Sequence, residues 1–431
     1  MNLPDHKLLK KAALSALIRA VGALAALLMS WIIARFYGAE QAGLFFLALA
    51  VITFLGTLTR AGVDMSVLRF VGAAENRNHW GRISSVMKRA LALTLPLSLV
   101  AAFILLVSGD VIAIRIFNKE PLGPVLKVLG FALPGITLLT VYGMGLQGLH
   151  KTVRSVITLK IAGPLLFIFI ILGLPVAAKD LPALYAVSLL VAGLMGAVLF
   201  TSLKSSKKEG DAITWRQFTS SSRPLWFGQV AQQIMLLSSQ IICGIWLSSQ
   251  DVALLTAAQR TAMLTPFILL AVNMVVTPKF AALYEAKEFK QLENLAIDAT
   301  KIMLMVGAPV AVFIMALSTQ IMSTFGPDFV AAGVLLQVIT LGQIVNVATG
   351  SANMLLVSSG NEEALKLTYY AGATVAVIAC VGLIPTYGVM GGAIATAAAL
   401  ALQNVATVVM VSKRLQINVL PKFGTFVQNW R

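Results

Sequence analysis

Charge is scarce in this sequence. Only 12% of its 431 residues are Asp, Glu, Lys or Arg, whereas soluble domains are usually about a quarter charged. Hydrophobic residues make up 58% of the chain, and the mean hydropathy is +0.87. Apolar runs of bilayer length or close to it occur at 14–36, 44–58 and 91–107. The composition therefore argues against a soluble protein and predicts a polytopic membrane protein.

Residue types used for catalysis and metal binding are also scarce. The 3 histidines are dispersed, and the 2 cysteines, Cys243 and Cys380, lie inside apolar runs. This pattern argues against a zinc site, a catalytic triad or a disulfide framework. The sequence contains no Walker A motif, which argues against ATP hydrolysis. We therefore expect no enzyme activity, no cofactor and no metal.

The apolar runs predict twelve membrane-spanning helices. The predicted spans are 14–36, 44–68, 90–109, 125–147, 156–177, 182–203, 225–248, 252–280, 300–324, 330–357, 367–387 and 390–412. Because this number is even, both ends of the chain should lie on the same side of the membrane.

The basic residues divide unequally between the two sides of the membrane. In this register 25 Lys and Arg residues fall on the side of the termini, and 4 fall on the opposite side. Cytoplasmic loops carry an excess of Lys and Arg, so both termini are predicted to be cytoplasmic. The formal net charge of +16 is spread over these loops rather than gathered in one patch. We therefore expect membrane lipids, and no nucleic acid, as partners.

The two halves of the chain resemble each other. Loop lengths and polar positions repeat at a shift of roughly 210 residues, and a segment rich in Lys and Ser separates six predicted spans from six. The expected organisation is an N-terminal six-helix lobe at 1–203, a cytoplasmic linker at 204–224, a C-terminal six-helix lobe at 225–412 and a cytoplasmic tail at 413–431. Copies of a six-helix unit enter the membrane from the same side, as parallel repeats.

A motif between the first two spans points to a known family. Residues 35–43 read Arg-Phe-Tyr-Gly-Ala-Glu-Gln-Ala-Gly, and the following apolar span leads into Thr59-Arg-Ala-Gly62 and Arg69-Phe-Val-Gly72. Together with the chain length and the layout of six plus six spans, this pattern resembles the polysaccharide (lipid-linked oligosaccharide) flippases. These belong to the multidrug/oligosaccharidyl-lipid/polysaccharide exporter superfamily.

The resemblance implies both a fold and a function. The implied fold is all-α, integral to the membrane and MATE-like, with two pseudo-symmetric six-helix bundles around a central cavity that opens alternately to each side. The implied function is translocation of an undecaprenyl-diphosphate-linked oligosaccharide across the bacterial plasma (inner) membrane for polysaccharide biosynthesis. Other polysaccharide-assembly proteins are candidate partners.

Several basic residues fall inside the predicted spans, namely Arg19, Arg35, Arg60 and Arg260. A charged residue at a helix centre costs about 2.5–3.5 kcal/mol and needs a partner or an aqueous cavity. Arg35, near the end of its span, is expected to extend towards the membrane interface, and so is Lys160.

The other three arginines are candidate substrate ligands. Arg60 has Asp64 one turn further on, so it either is neutralised by that carboxylate or binds a ligand. Arg19 has no acidic residue one turn away, and Arg260 stands beside polar neighbours. Arg19 and Arg260 are predicted to line a cavity for an anionic substrate. The alternative is structural pairing with carbonyls or helix ends.

Neutral polar residues add two stripes. Gln229, Gln233 and Gln240 share one face of the seventh predicted helix, and Gln343 and Asn346 share one face of the tenth. We predict that Gln229, Gln233, Gln343 and Asn346 contact the substrate. Polar stripes also join helices within membranes, so helix packing remains the alternative.

Two further functions are open. A cation-coupled multidrug exporter of the same superfamily would need an acidic residue deep in the first or seventh span, and neither span has one. An integral-membrane glycosyltransferase or polymerase would usually carry a large external loop with catalytic residues. No predicted external loop exceeds about twenty residues under this span assignment.

Overall fold

The computed structural model describes residues 6–77, 79–203 and 211–421, and these contain no β-strand. In the described residues up to 203 the α-helices are α1 (His6–Arg60), α2 (Val63–Glu75), α3 (Trp80–Arg115), α4 (Leu122–Gly130), α5 (Ala132–Gly148), α6 (Thr152–Val156), α7 (Ala162–Gly173) and α8 (Leu181–Thr201). A π-helical turn, Ile157–Ile161, joins α6 to α7.

The described residues from 211 onward are helical as well. Their α-helices are α9 (Trp215–Trp246), α10 (Ser249–Ala262), α11 (Phe267–Glu285), α12 (Phe289–Ala316), α13 (Ser318–Ser323), α14 (Ala332–Ala348), α15 (Ala352–Ser358), α16 (Glu362–Tyr387) and α17 (Val389–Leu415). The predicted all-α membrane fold is therefore confirmed.

The structure accounts for the predicted spans. Among the described residues, 8 helices are long and apolar enough to cross a membrane, or 10 if the bent pairs α4–α5 and α14–α15 each form one span. One of these helices, α1, has 55 residues and contains Gly38 in a non-helical conformation, with φ 77° and ψ 170°. Dividing α1 at Gly38 gives the first two predicted spans. Adding α9, whose glutamines lower its hydropathy, accounts for all twelve.

The chain forms two compact units. The N-terminal unit comprises Leu17–Gln233 and Gly244–Ala253, and the C-terminal unit is built mainly from Ile234–Cys243 and the described residues from Leu254 onward. Positions 204–210 of the predicted linker lie outside the described residues, as does 422–431 of the predicted tail. The described part of the linker contains the first turns of α9. The proposed lobe boundaries at 203 and 225 stay a prediction.

Small residues set the packing inside the N-terminal unit. A Cβ atom at Gly145 would lie 2.9 Å from the Phe200 ring, and one at Gly148 would lie 2.8 Å from the Cβ of Val71. The backbone of α5 therefore comes close to α2 and α8, as is usual where lipid supplies no hydrophobic driving force. Ile213 and Phe218, on either side of the start of α9, are buried in the same apolar core.

The C-terminal unit packs in the same way. A Cβ atom at Gly342 of α14 would lie 2.7 Å from the Cα of Ala397 in α17. Buried residues of α11, α12, α15 and α16 form a second apolar core, which includes Phe280 and Leu355. Each unit thus buries its own core by close helix contacts.

Candidate functional site

The break between α1 and α2 places an arginine beside a carboxylate. Ala61 and Gly62 have φ of 49° and 72°, so the chain turns between Arg60, at the end of α1, and Asp64, in the first turn of α2. Arg60 Nε lies 3.7 Å from Asp64 Oδ2, and these side chains are 14% and 11% exposed. Arg60 Nη2 donates a hydrogen bond to Thr57 Oγ1 at 3.0 Å. The ion pair predicted from the spacing is therefore present and largely shielded.

Helix α9 contacts this break through hydrogen bonds. Gln229 Nε2 donates to Asp64 Oδ1 at 3.0 Å, and the same oxygen accepts from the Met65 backbone N–H at 2.9 Å. Ser222 Oγ donates to Ser66 Oγ at 2.9 Å, and both residues are buried. Asp64 is thus fixed by two hydrogen-bond donors and by the ion pair with Arg60 before any ligand arrives.

Gly62 allows the backbone of α9 to approach. A Cβ atom at this position would lie 2.3 Å from the carbonyl oxygen of Ser222 and 2.7 Å from the backbone nitrogen of Trp226. The left-handed φ of 72° also favours glycine. Both requirements explain why glycine stands at this break.

A further lysine lies close to these charges. A Cβ atom at Gly22 would lie 2.8 Å from the Cβ of Lys160, so α1 and the π-helical turn are in close contact. The positive charges of Arg60 and Arg19 act on the ammonium group of Lys160. Its side chain is exposed although protein atoms surround it, as is expected for a residue that lines a cavity. This environment favours a cavity position for Lys160, and its extension to the membrane interface stays a prediction.

We call Arg19, Arg60 and Lys160 the cationic cluster. Arg19 Nε and Arg60 Nε are buried and donate no hydrogen bond to any described residue, and the same holds for the indole Nε1 of Trp226. Buried donors are normally satisfied, so this concentration of donors suits a ligand rich in acceptor oxygens. Phosphate is such a ligand, and it prefers arginine because the guanidinium can donate two parallel hydrogen bonds.

The remaining predicted residues divide between the two compact units. Gln233 lies on α9 in the N-terminal unit, half-buried. Arg260, Gln343 and Asn346 lie in the C-terminal unit, and Asn346 Nδ2 donates to Gln343 Oε1 at 3.1 Å. Gln240 donates instead to Gln259 Oε1 at 2.8 Å, so this part of the predicted stripe joins α9 to α10.

Lys119 holds the far end of α9. Its Nζ donates hydrogen bonds to the carbonyl oxygens of Gly244 at 2.7 Å and Leu247 at 2.6 Å. Burial lowers the pKa of Lys119, and the negative charge of Asp251 opposes that shift. A lysine at a helix C-terminus satisfies carbonyls that have no partner within the helix. Lys119 is one of the 4 basic residues that the predicted spans place on the side opposite the termini.

The sequence matches two known protein families. The profile of the polysaccharide biosynthesis protein family matches residues 8–284, which is more than half of the chain. The chain belongs to this family. The MatE family profile matches residues 224–384. The resemblance inferred from the sequence is therefore confirmed.

This chain is similar to one named protein and to several solved structures. It is 23% identical over 428 residues to stage V sporulation protein B of Bacillus subtilis, and the match covers 90% of this chain and 80% of that protein. A multidrug resistance MATE family transporter in an inward-facing conformation superposes with a TM-score of 0.76 at 18% identity, covering 93% of this chain and 98% of that one. The lipid II flippase MurJ in an inward closed conformation gives 0.73 at 16% identity, covering 93% and 87%.

These similarities establish the class of this family member. It is a multi-pass membrane protein of the polysaccharide biosynthesis protein family, and it has a MATE-like fold. Among the described residues, no group of three or more His, Cys, Asp or Glu side chains is placed to hold a metal ion.

Proposed function

We propose that this protein translocates an undecaprenyl-diphosphate-linked oligosaccharide from the cytoplasmic to the outer face of the bacterial plasma (inner) membrane. The supporting observation is the cationic cluster, in which three basic side chains accompany a single carboxylate. Two of them, Arg19 and Arg60, each have a buried Nε–H without an acceptor among the described residues. A diphosphate supplies both the negative charge and the acceptor oxygens that these groups lack.

The Arg60–Asp64 pair gives the site a way to release its ligand. In the structure the Asp64 carboxylate forms an ion pair with the Nε side of the Arg60 guanidinium. A bound phosphate would compete with Asp64 for that arginine, and Asp64 would retain the donors from Gln229 and Met65. Binding thus exchanges one anion for another, which avoids leaving a buried charge alone. A transporter needs such reversible binding, because its ligand has to leave on the opposite side.

The remaining predicted substrate-binding residues have separate proposed roles. Gln233, Gln343 and Asn346 offer neutral donors and acceptors suited to hydroxyl groups. Arg260 supplies positive charge in the C-terminal unit. Transport by alternating access requires no catalysis, and both termini are proposed to be cytoplasmic because 25 basic residues fall on their side.

A cation-coupled multidrug exporter is the rival function. Asp64 is the observation in its favour, because such a protein needs a carboxylate to bind its cargo or coupling ion. In the structure, however, Asp64 already accepts hydrogen bonds from Gln229 and Met65 and pairs with Arg60. The surplus of positive charge around it would repel a cationic drug.

Complementation in a flippase-deficient strain tests the proposal. Arg19→Gln and Arg60→Gln should each reduce export of the lipid-linked sugar, and Arg19→Lys should retain part of it, because phosphate accepts a point charge but prefers the guanidinium fork. Gln233→Ala should reduce export more mildly. Arg35→Gln is the matched control, since Arg35 also lies on α1 but its side chain is exposed.

The amount of each variant in the membrane must be measured alongside export. If Arg19→Gln and Arg60→Gln both complement as well as the unaltered protein, the anionic substrate is refuted. If these variants instead gain resistance to cationic dyes, the exporter function is favoured. Accumulation of a lipid-linked sugar on the cytoplasmic face of cells lacking the protein would identify the sugar.

A further inference from the structure

The π-helical turn at Ile157–Ile161 determines where Lys160 points. The Ala162 N–H bonds the carbonyl of Ile157, five residues earlier, so this turn contains one residue more than an α-helical turn. Pro164 follows and has no N–H to offer the carbonyl of Lys160, and its ring would clash with that carbonyl in a regular helix. The wider turn relieves this clash, and π-turns of this kind are frequent at functional sites.

Gly22 brings that turn against α1. A Cβ atom at Gly22 would lie 2.8 Å from the Cβ of Lys160 and 3.4 Å from its carbonyl oxygen. Gly22 stands one helical turn from Arg19, so the two residues share a face of α1. The close contact therefore sets Lys160 beside the face that carries Arg19.

The cluster carries more positive than negative charge. Asp64 pairs with Arg60, and neither Arg19 nor Lys160 forms an ion pair with any described residue. Three cations and one carboxylate leave two net positive charges. A diester phosphate carries about one negative charge, so a diphosphate joining a lipid to a sugar carries about two, and a monophosphate joining them carries about one.

We propose that Lys160 is the specificity-determining residue of this site, and that it makes the cationic cluster select a diphosphate-linked lipid over a monophosphate-linked one. Without Lys160 the cluster keeps one net positive charge, which matches a monophosphate. A compact ammonium group on a flexible side chain suits the second phosphate, while the guanidinium groups of Arg19 and Arg60 suit the first. The proposal rests on the proposed function, because it concerns the same site and the same class of substrate.

Binding to the purified full-length protein in nanodiscs of zwitterionic lipid tests this inference. The two probes carry the same sugar: undecaprenyl diphosphate glucose and undecaprenyl phosphate glucose. Lys160→Gln should weaken binding of the diphosphate by about tenfold to a hundredfold, the value of a charge-assisted hydrogen bond, and change binding of the monophosphate by less than about threefold. Lys160→Arg should keep the preference for the diphosphate.

Two further variants separate charge from structure. Gly22→Ala should weaken diphosphate binding without removing any charge, since the new Cβ displaces the π-helical turn. Lys151→Gln removes an exposed lysine from the same segment and should change neither affinity. Thermal unfolding confirms that each variant is folded.

The outcomes distinguish this inference from the proposed function. If Lys160→Gln weakens both lipids equally, or neither, Lys160 does not determine specificity and the inference is refuted while the flippase function stands. If the unaltered protein binds neither lipid, the proposed function fails, and the inference fails with it.

Discussion

Removing the charge of Asp64 should destabilise the protein more than removing that of its partner, Arg60. In Asp64→Asn, the Arg60 guanidinium keeps Thr57 as its hydrogen-bond partner but loses the carboxylate that pairs with it. In Arg60→Gln, the Asp64 carboxylate keeps the N–H donors of Gln229 and Met65 at 3.0 Å and 2.9 Å. A shielded charge that loses its partner is costly, whereas one that keeps its donors costs less.

The separation of the two charges sets the size of the effect. Two unit charges about 4 Å apart attract by about 4 kcal/mol at an effective dielectric constant of about 20, and partial solvent access lowers this value. We expect Asp64→Asn to lower the free energy of unfolding by about 3–5 kcal/mol. Arg60→Gln should lower it by about 1–3 kcal/mol. The double variant should lose less than the sum, with a coupling energy of about 2–3 kcal/mol.

These energies are measured by equilibrium unfolding in lipid–detergent bicelles. The four proteins compared are the unaltered protein, Asp64→Asn, Arg60→Gln and the double variant. Asp298→Asn is the matched control, because its carboxylate is 65% exposed and pairs with Lys301. It should change the free energy of unfolding by less than about 1 kcal/mol. Strictly additive losses at Arg60 and Asp64, or a larger loss in Arg60→Gln than in Asp64→Asn, would refute the reasoning.

Three further predictions follow from the backbone and the topology. Gly62→Ala should lower thermal stability more than Gly38→Ala, because φ is 72° and 77° at these positions but only at Gly62 would a Cβ meet backbone atoms, the first at 2.3 Å; equal shifts would contradict this. Lys119→Met should speed hydrogen exchange at the end of α9 and lower the free energy of unfolding by about 1–3 kcal/mol, because the carbonyls of Gly244, in α9, and Leu247, just after it, lose their donor; unchanged exchange would refute the contact. Cysteine labelling should find position 287 on the cytoplasmic side and position 180 outside, and the reverse result would overturn the topology.

Most of the fold follows from hydropathy. Apolar runs of bilayer length predict the spans because a membrane helix has to satisfy its own backbone polar groups. The break at Gly38 is also predictable, since charged and small residues interrupt the apolar run there. The role of α9 was harder to predict. The polar composition of 204–224 suggested a linker, but the contacts of Ser222 and Gln229 with α2 depend on residues more than 150 positions apart.

The candidate site was predicted in part. The Arg60–Asp64 pair follows from local spacing, and Arg19 was recognised because a basic residue inside a span needs a partner or a cavity. The surroundings of Lys160 are harder to predict for a physical reason. A π-helical turn adds one residue and rotates the following side chains by about 100° relative to an α-helix, and regular periodicity does not reveal this change. The contact of Asp64 with Gln229 leaves no local signal in either segment.

Transport in proteoliposomes tests the central claim most directly. The purified protein is reconstituted with undecaprenyl diphosphate glucose bearing a fluorescent sugar, and a membrane-impermeant quencher reports its arrival on the opposite leaflet. The unaltered protein should move this lipid, Arg19→Gln should slow it by about tenfold or more, and Arg19→Lys should restore part of the rate. Transport at the unaltered rate by both Arg19→Gln and Arg60→Gln, or movement of cationic dyes in place of the lipid, would contradict the account.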